Sequence, residues 1–399
     1  MFKFQCIQCG QIEKKEPASR CGKCGGILVF KNQDSMLGED RPKERARGLN
    51  RYRSALPVEG EIRSLGEGNT PLLDISGEME QKEGTRLLVK CEFMNPTGSF
   101  KDRGMSVSLS RARELGIKKA VVASVGNASS SAAAYGALNG ISIYAAVPES
   151  TTVSKVYQAL TYGAKLFKVP GGYSDSHELV KKICAERGLL NLTTTFVNPY
   201  NVAGFKTIGY EIAEELKKAP DAVLIPIGAG PLLAAVYQAF RELQEKKQVL
   251  KIPKLVGIQS ARCCPVVDAW KEGKEKVEPY CMKEPTIASG INDELRGYTD
   301  NGDYVLKLIR ETGGAAIEIP EEDVIRCTHE MGEKGLYVEP ASASGLYAFR
   351  KLREQGVIKA QDTVVMIATG SGLKNPVKDF SFKPPTITEA DQFQEITEE

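Results

Sequence analysis

Between Arg86 and Ala368, short apolar runs alternate with segments whose apolar residues recur every three or four positions. No other feature of the 399-residue chain restricts its fold as much. Strands are predicted at 86–93, 121–124, 141–147, 165–169, 222–227, 255–259, 315–319 and 363–368. Helices are predicted over the segment marked by Met105, Leu109, Ala112 and Leu115, and at 128–138, 154–162, 174–187, 232–244, 321–333 and 341–354. This alternation argues for an α/β protein built on open parallel sheets with helices on both faces. The length suits two such domains. Residues 270–305 give no clear element, because Gly290, Gly297 and Gly302 break them up.

Composition removes several function classes. Hydrophobic residues make up 42% and charged residues 26%, as in an ordinary soluble globular protein, so each domain can bury a core. The formal net charge of +2 gives no broad electrostatic case for nucleic acid or an anionic membrane. No apolar run approaches the length of a bilayer span. The start, Met1-Phe2-Lys3-Phe4-Gln5, has no apolar core of a secretory signal. Six of the ten cysteines are scattered, unlike a disulfide framework, and a cytoplasmic, reduced protein is expected.

The other four cysteines form two knuckles, Cys6-x-x-Cys9 and Cys21-x-x-Cys24, with glycines beside each. Four thiolates so spaced suit tetrahedral zinc, and short strands at 2–5 and 27–30 would complete a zinc ribbon over residues 1–30. Four free thiols are the alternative. A site with four protein ligands leaves no position for substrate, so the zinc (Zn2+) is expected to be structural. Residues 31–65 are charged and irregular and read as a linker or arm. Residues 381–399 read as a loose tail.

One stretch carries the strongest chemical signal: Asn95-Pro96-Thr97-Gly98-Ser99-Phe100-Lys101-Asp102-Arg103-Gly104. Pro96 and Gly98 end a strand, and Thr97 or Ser99 can cap the helix that follows. Lys101 then stands at the positive end of a helix, which disfavours its ammonium form. A lysine so placed is a usable amine for a Schiff base. Taken alone, the stretch also suits a surface lysine paired with Asp102. Ser124-Val125-Gly126-Asn127-Ala128 and Gly228-Ala229-Gly230-Pro231-Leu232 both join a strand to a helix, so both aim backbone N–H groups at an anion. Thr369-Gly370-Ser371-Gly372-Leu373-Lys374 follows the last strand. His177 and His329 fall outside these stretches and read as surface or satisfied helical residues. Cys263 and Cys264 read as buried and inert.

The lysine stretch resembles the lysine segment of threonine synthases, in the fold-type II group of pyridoxal-phosphate enzymes. Residues 66–72 (GEGNTPL), 124–135 (SVGNASSSAAAY), 338–346 (VEPASASGL) and 368–376 (ATGSGLKNP) are similar to the same family in the same order. The resemblance implies two doubly wound open-sheet domains of the tryptophan synthase beta-like kind. The large one would hold residues 66–105 and 201–380 and the small one residues 106–200, with pyridoxal 5'-phosphate between them. It implies that Lys101 binds the cofactor and moves protons during catalysis. It assigns Asn127 to the cofactor's phenolic oxygen, Thr369 to its ring nitrogen, and Gly228, Ala229, Gly230 and Leu232 to its phosphate; Pro231 offers no N–H. Ser124, Gly126, Asn127 and Ala128 would hold the carboxylate of an amino-acid substrate. A homodimer is also implied.

The implied activity is that of a carbon–oxygen lyase: O-phosphohomoserine plus water gives threonine plus phosphate. Against the family pattern, Thr195 and Phe196 stand where an Asn-Ser pair is usual, Asn201 where an arginine is usual, and Ala128 where a threonine is common. An arginine gives phosphate charge-assisted hydrogen bonds, so weak or no turnover of O-phosphohomoserine is expected unless another cation, such as Lys206 or Lys155, reaches the same place. The alternatives are a paralogue performing beta-elimination or beta-replacement, like cysteate synthase or a serine/threonine ammonia-lyase, and a non-catalytic zinc-ribbon binding protein.

Overall fold

The computed structural model describes residues 2–31, 48–78, 84–151 and 156–377. Residues 32–47 of the expected arm and the expected tail at 381–399 lie outside the described residues, as does Lys155.

The strands are β1 (Phe4–Cys6), β2 (Ile12–Glu13), β3 (Leu28–Phe30), β4 (Leu72–Asp74), β5 (Arg86–Lys90), β6 (Lys119–Ala123), β7 (Ser142–Pro148), β8 (Lys165–Val169), β9 (Leu190–Asn191), β10 (Ala222–Pro226), β11 (Lys254–Ser260), β12 (Ala315–Ile319) and β13 (Thr363–Ile367). The helices are α1 (Lys101–Glu114), α2 (Asn127–Asn139), α3 (Tyr157–Thr161), α4 (Tyr173–Arg187), α5 (Pro199–Leu216), α6 (Pro231–Glu245), α7 (Pro265–Lys271), α8 (Thr299–Glu311), α9 (Glu321–Glu333) and α10 (Pro340–Glu354).

Three sheets result. β2-β1-β3 is a small antiparallel ribbon. β12-β11-β10-β13-β5-β4 is parallel except at β4, which pairs antiparallel on the edge. β8-β7-β6-β9 is wholly parallel. β10 and β13 are buried along their whole length, as parallel strands covered on both faces must be. The carboxyl ends of β5, β10 and β13 lie on one edge of the larger sheet, and they lead into residues 95–101, 228–230 and 369–374. Ligands in open α/β sheets collect outside such ends.

Three departures from the sequence reading have local causes. The strand expected over 86–93 ends at Lys90, because Glu92–Met94 tightens into a 3₁₀ turn that buries Glu92. Helix α5 gave no periodic signal. It is buried on nearly every side from Pro199 to Ala213, so no polar face marks its turns. Helices α7 and α8 occupy part of the unread region; Gly302 lies inside α8, where an added Cβ would come 2.8 Å from Leu295.

Candidate active site

Helix α1 starts at Lys101, but neither Thr97 nor Ser99 caps it. Phe100 is the capping residue and contributes no side-chain bond. Asp102 instead reaches back and accepts from the Thr97 N–H at 2.7 Å and its hydroxyl at 2.6 Å. Asp102 is therefore committed to Thr97. The Lys101 ammonium site lies 4.3 Å from the centre of the Phe100 ring and 5.7 Å from that of Phe205. Burial lowers this amine to about 7, against the pull of Glu339 and Asp293. Desolvation dominates here, where the sequence reading looked to the helix dipole.

The lysine segment and the segment after β13 lie side by side. The Phe100 N–H donates to the Thr369 carbonyl at 3.0 Å, and the Ser371 N–H to the Gly98 carbonyl at 2.9 Å. Lys374 Nζ donates to the Thr97 carbonyl at 2.8 Å, and burial lowers its amine to about 8. Glu339, at the foot of α10, joins them: its N–H donates to the Gly370 carbonyl at 2.8 Å. Its carboxylate accepts from Thr369 Oγ1 at 3.0 Å and from Asn127 Nδ2 at 2.9 Å. Burial pushes the Glu339 carboxyl up, while those two donors, Lys374 and Lys101 hold it down. So Lys101, Asn127 and Thr369 converge, and the residue linking the last two was missed. Glu339 lay inside the quoted stretch at 338–346, yet nothing in the sequence singled it out from its neighbours.

The two anion-type turns are formed. Gly126 precedes α2, and its N–H turns back to Ser124 Oγ at 3.3 Å. Gly230 precedes α6 in the left-handed region, at φ 86°, which glycine adopts without strain. Helix starts leave their first N–H groups without intrahelical acceptors. Asp293 faces the second turn: a Cβ on Gly228 would meet its Cβ at 3.3 Å. Asp293 Oδ1 accepts from the Tyr298 hydroxyl at 2.7 Å and the Leu295 N–H at 3.0 Å, and burial pushes the carboxyl up to about 6. It came from the stretch with no readable element, so no signal marked it.

The residues expected at a phosphate pocket are elsewhere. Phe196 is fully buried and packs edge-on against Tyr304, ring centres 5.5 Å apart. Asn201 accepts from Ser108 at 2.8 Å and donates to the Leu192 carbonyl at 3.2 Å. Lys206 is no stand-in cation: it is buried and paired with Glu242 at 2.8 Å, 5.2 Å from the centre of the Phe30 ring. Of the two expectations for His177, surface or satisfied helical residue, the helical one holds. It is buried against Tyr298 with Nε2 3.3 Å from Thr195 Oγ1, and burial lowers it to about 4. Cys263 and Cys264 are buried thiols, each pushed up to about 12.

The ribbon brings Cys6, Cys9, Cys21 and Cys24 together, all four sulfurs within 4.8 Å of one another. Cys6 and Cys24 are 3.5 Å apart, Cys9 and Cys21 3.7 Å, and Cys9 and Cys24 3.4 Å. The ribbon sits on the main body. Ala18 donates to the Tyr200 hydroxyl at 3.0 Å, Ser19 to the Val197 carbonyl at 2.9 Å, and Arg20 pairs with Asp300 at 2.5 Å.

A family model described as "Pyridoxal-phosphate dependent enzyme" matches residues 63–370. The threonine synthase of Methanosarcina acetivorans is 36% identical over 397 residues, covering 98% of this chain and 96% of that protein. The chain belongs to the threonine synthase family. The threonine synthase of Methanocaldococcus jannaschii agrees, at 36% identity over 382 residues and 93% of each chain. Among solved structures, threonine deaminase isoform 2 from Solanum lycopersicum superposes with a TM-score of 0.63 at 22% identity. It covers 78% of this chain and 85% of that one, and it shows the shared fold alone. Family membership makes the chain a pyridoxal-phosphate-dependent enzyme, with the fold-type II architecture its sheets display. The residues fit that cofactor: a desolvated lysine amine lies among aromatic rings, and beyond it lies a turn where Gly230 has no room for a Cβ and Gly228 little. No described helix is long and apolar enough to cross a membrane.

Proposed function

We propose that the enzyme converts O-phosphohomoserine and water to threonine and phosphate. The observation that carries this reading is the desolvated Lys101 amine, set between Asn127, Thr369 and a glycine turn in a chain related to threonine synthases over almost its full length. Lys101 would hold the cofactor, with Asn127 at its phenolic oxygen and Thr369 at its ring nitrogen. The N–H groups of Gly228, Ala229, Gly230 and Leu232 would serve its phosphate. Bound there, pyridoxal phosphate supplies an electrophilic carbon for the substrate amine and a ring that withdraws electrons from the alpha carbon. Ser124, Gly126, Asn127 and Ala128 would take the substrate carboxylate at the start of α2. Lys101 Nζ, about half unprotonated near pH 7, would remove the alpha proton and return protons further along the substrate. Lysine at this pKa can both accept and give a proton at working pH.

The reading extends to the rest of the chain. The division into a large domain (66–105 and 201–380) and a small one (106–200) is supported by β5 and β10–β13 sharing one sheet and β6–β9 another. Structural zinc on Cys6, Cys9, Cys21 and Cys24 is supported by the sulfur spacings, since Zn–S bonds of about 2.3 Å set tetrahedral sulfurs about 3.8 Å apart. A homodimer in the cytoplasm completes it, which sedimentation and cell fractionation check.

A second reading is favoured by the burial of Phe196 and Asn201 and the commitment of Lys206 to Glu242. With Lys206 committed to Glu242, beta-elimination or beta-replacement on an amino acid without a phosphate becomes the competing activity. The deciding experiment gives purified holoenzyme O-phosphohomoserine, serine or threonine in separate reactions. Threonine and phosphate are the expected products from the first. Ammonia and a keto acid from the others, with O-phosphohomoserine inert, would replace the first reading with the second. In Lys101→Ala, borohydride should trap no cofactor at position 101.

A further inference from the structure

The hydroxyl assigned to the cofactor's ring nitrogen is not a free rotor. Thr369 Oγ1 has two polar neighbours within the protein, Glu339 Oε1 at 3.0 Å and Ser342 Oγ at 3.0 Å. Ser342 Oγ already accepts the Gly370 N–H at 2.9 Å, so its own proton goes to Thr369 or to the Gly370 carbonyl at 3.3 Å. Of the two neighbours, the Glu339 carboxylate is the stronger acceptor for the Thr369 proton. Its second oxygen is engaged by Asn127 Nδ2 at 2.9 Å, and a carboxylate accepts at both oxygens. Its place is built: Gly370 leaves room for it, since a Cβ there would lie 2.5 Å from the Glu339 carboxylate. The charged groups acting on it from other elements are Lys374 and Lys101; with Lys101 holding the cofactor, the Lys374 ammonium is the cation that favours the carboxylate.

We propose that Glu339 fixes the Thr369 hydroxyl as an acceptor, so that the cofactor's ring nitrogen must present a proton to it. A lone threonine is a neutral partner that tolerates a bare ring nitrogen. A threonine whose proton is held by a buried carboxylate offers only a lone pair, and a bare nitrogen facing it would be left without a donor. The Glu339–Thr369 pair then acts as a relayed carboxylate and makes the ring a stronger electron sink. Asn127 keeps its second amide proton for the phenolic oxygen. Glu339 is thus a positioning residue that works through Thr369. The inference rests on the cofactor reading above.

The test is nitrogen-15 NMR of holoenzyme loaded with pyridoxal phosphate labelled at the ring nitrogen, recorded across pH. The expected result is a protonated ring nitrogen in the wild type through neutral pH. In Glu339→Gln the charge is gone, and the nitrogen should lose its proton at a pH at least tenfold higher in proton concentration. Thr369→Val should behave alike, and Thr369→Ser, which keeps the hydroxyl, should match the wild type. A bare nitrogen in the wild type at neutral pH overturns the proposal, as does a Glu339→Gln spectrum identical to the wild type. Protein that takes up no labelled cofactor overturns the cofactor reading itself, which separates the two failures.

Discussion

Replacing Arg103 with methionine should be among the most damaging changes outside the reacting groups. Arg103 is fully buried and donates to Glu92 at 2.7 and 2.8 Å, to Glu211 at 2.9 and 2.7 Å, and to Thr207 at 3.0 Å. Glu211 has a second cation, Lys90, at 3.0 Å. Among the described residues, Glu92 has beyond Arg103 only neutral donors, Thr70 at 2.7 Å and Asn95 at 2.9 Å. Methionine fills much of the volume, so the loss is chiefly electrostatic. Removing one partner of a buried ion pair costs about 3–5 kcal/mol. At about 1.4 kcal/mol per tenfold, that lowers the folded-to-unfolded ratio by roughly a hundredfold to a few thousandfold. The assay is urea unfolding of the cofactor-free protein, read on the single tryptophan, Trp270. Adding Glu92→Gln should recover about 1–3 kcal/mol, because the orphaned charge is gone. Arg103→Lys should fall between, since one ammonium cannot serve both carboxylates bidentately. A loss below about 1 kcal/mol in Arg103→Met, with no recovery in the double variant, would refute the reasoning.

Three further outcomes follow from the chemistry. Lys101, with its amine lowered to about 7, should capture added pyridoxal phosphate with a midpoint near pH 7, followed spectrally; a midpoint at the ordinary lysine value of about 10.4 would contradict the desolvated site. The same depression leaves the folded protein with fewer protons than the unfolded chain above about pH 7, so this group's penalty on stability is full below that pH and relieved as pH rises toward the ordinary lysine range. Cys6→Ser or Cys21→Ser should strip one zinc per chain, measured by metal analysis, with little change in the cofactor spectrum. Wild-type protein that is metal-free and fully active would refute the zinc assignment.

The sequence made the alternation legible because β10, β13 and β12 are short apolar runs bounded by glycines and charges. It made Lys101, Asn127 and Thr369 legible because each follows a strand within a turn stretch that resembles the family's. It hid α5, whose burial erases the polar face that periodicity needs. It hid Glu339 and Asp293 for another reason. A carboxylate drawn into a site by tertiary packing has the same local sequence as one left in solvent. The phosphate pocket misled for a related reason: Phe196 and Asn201 align with pocket residues in the chain, but their side chains turn into the core.

The ribbon has a consequence for how the chain is made. Its sulfur cluster spans at most 18 residues, so it can close as soon as those residues emerge. Its seat is distant: Ser19 waits for Val197, 178 positions on, and Arg20 for Asn301, 281 positions on. At about 5–20 residues per second, synthesis leaves roughly 15–60 s between the two events. Until residue 200 is made, Phe4 lacks the Tyr200 ring that it later meets at 5.1 Å. The first segment made thus waits for distant partners, and a nascent chain that stalls before residue 197 carries the ribbon without its seat.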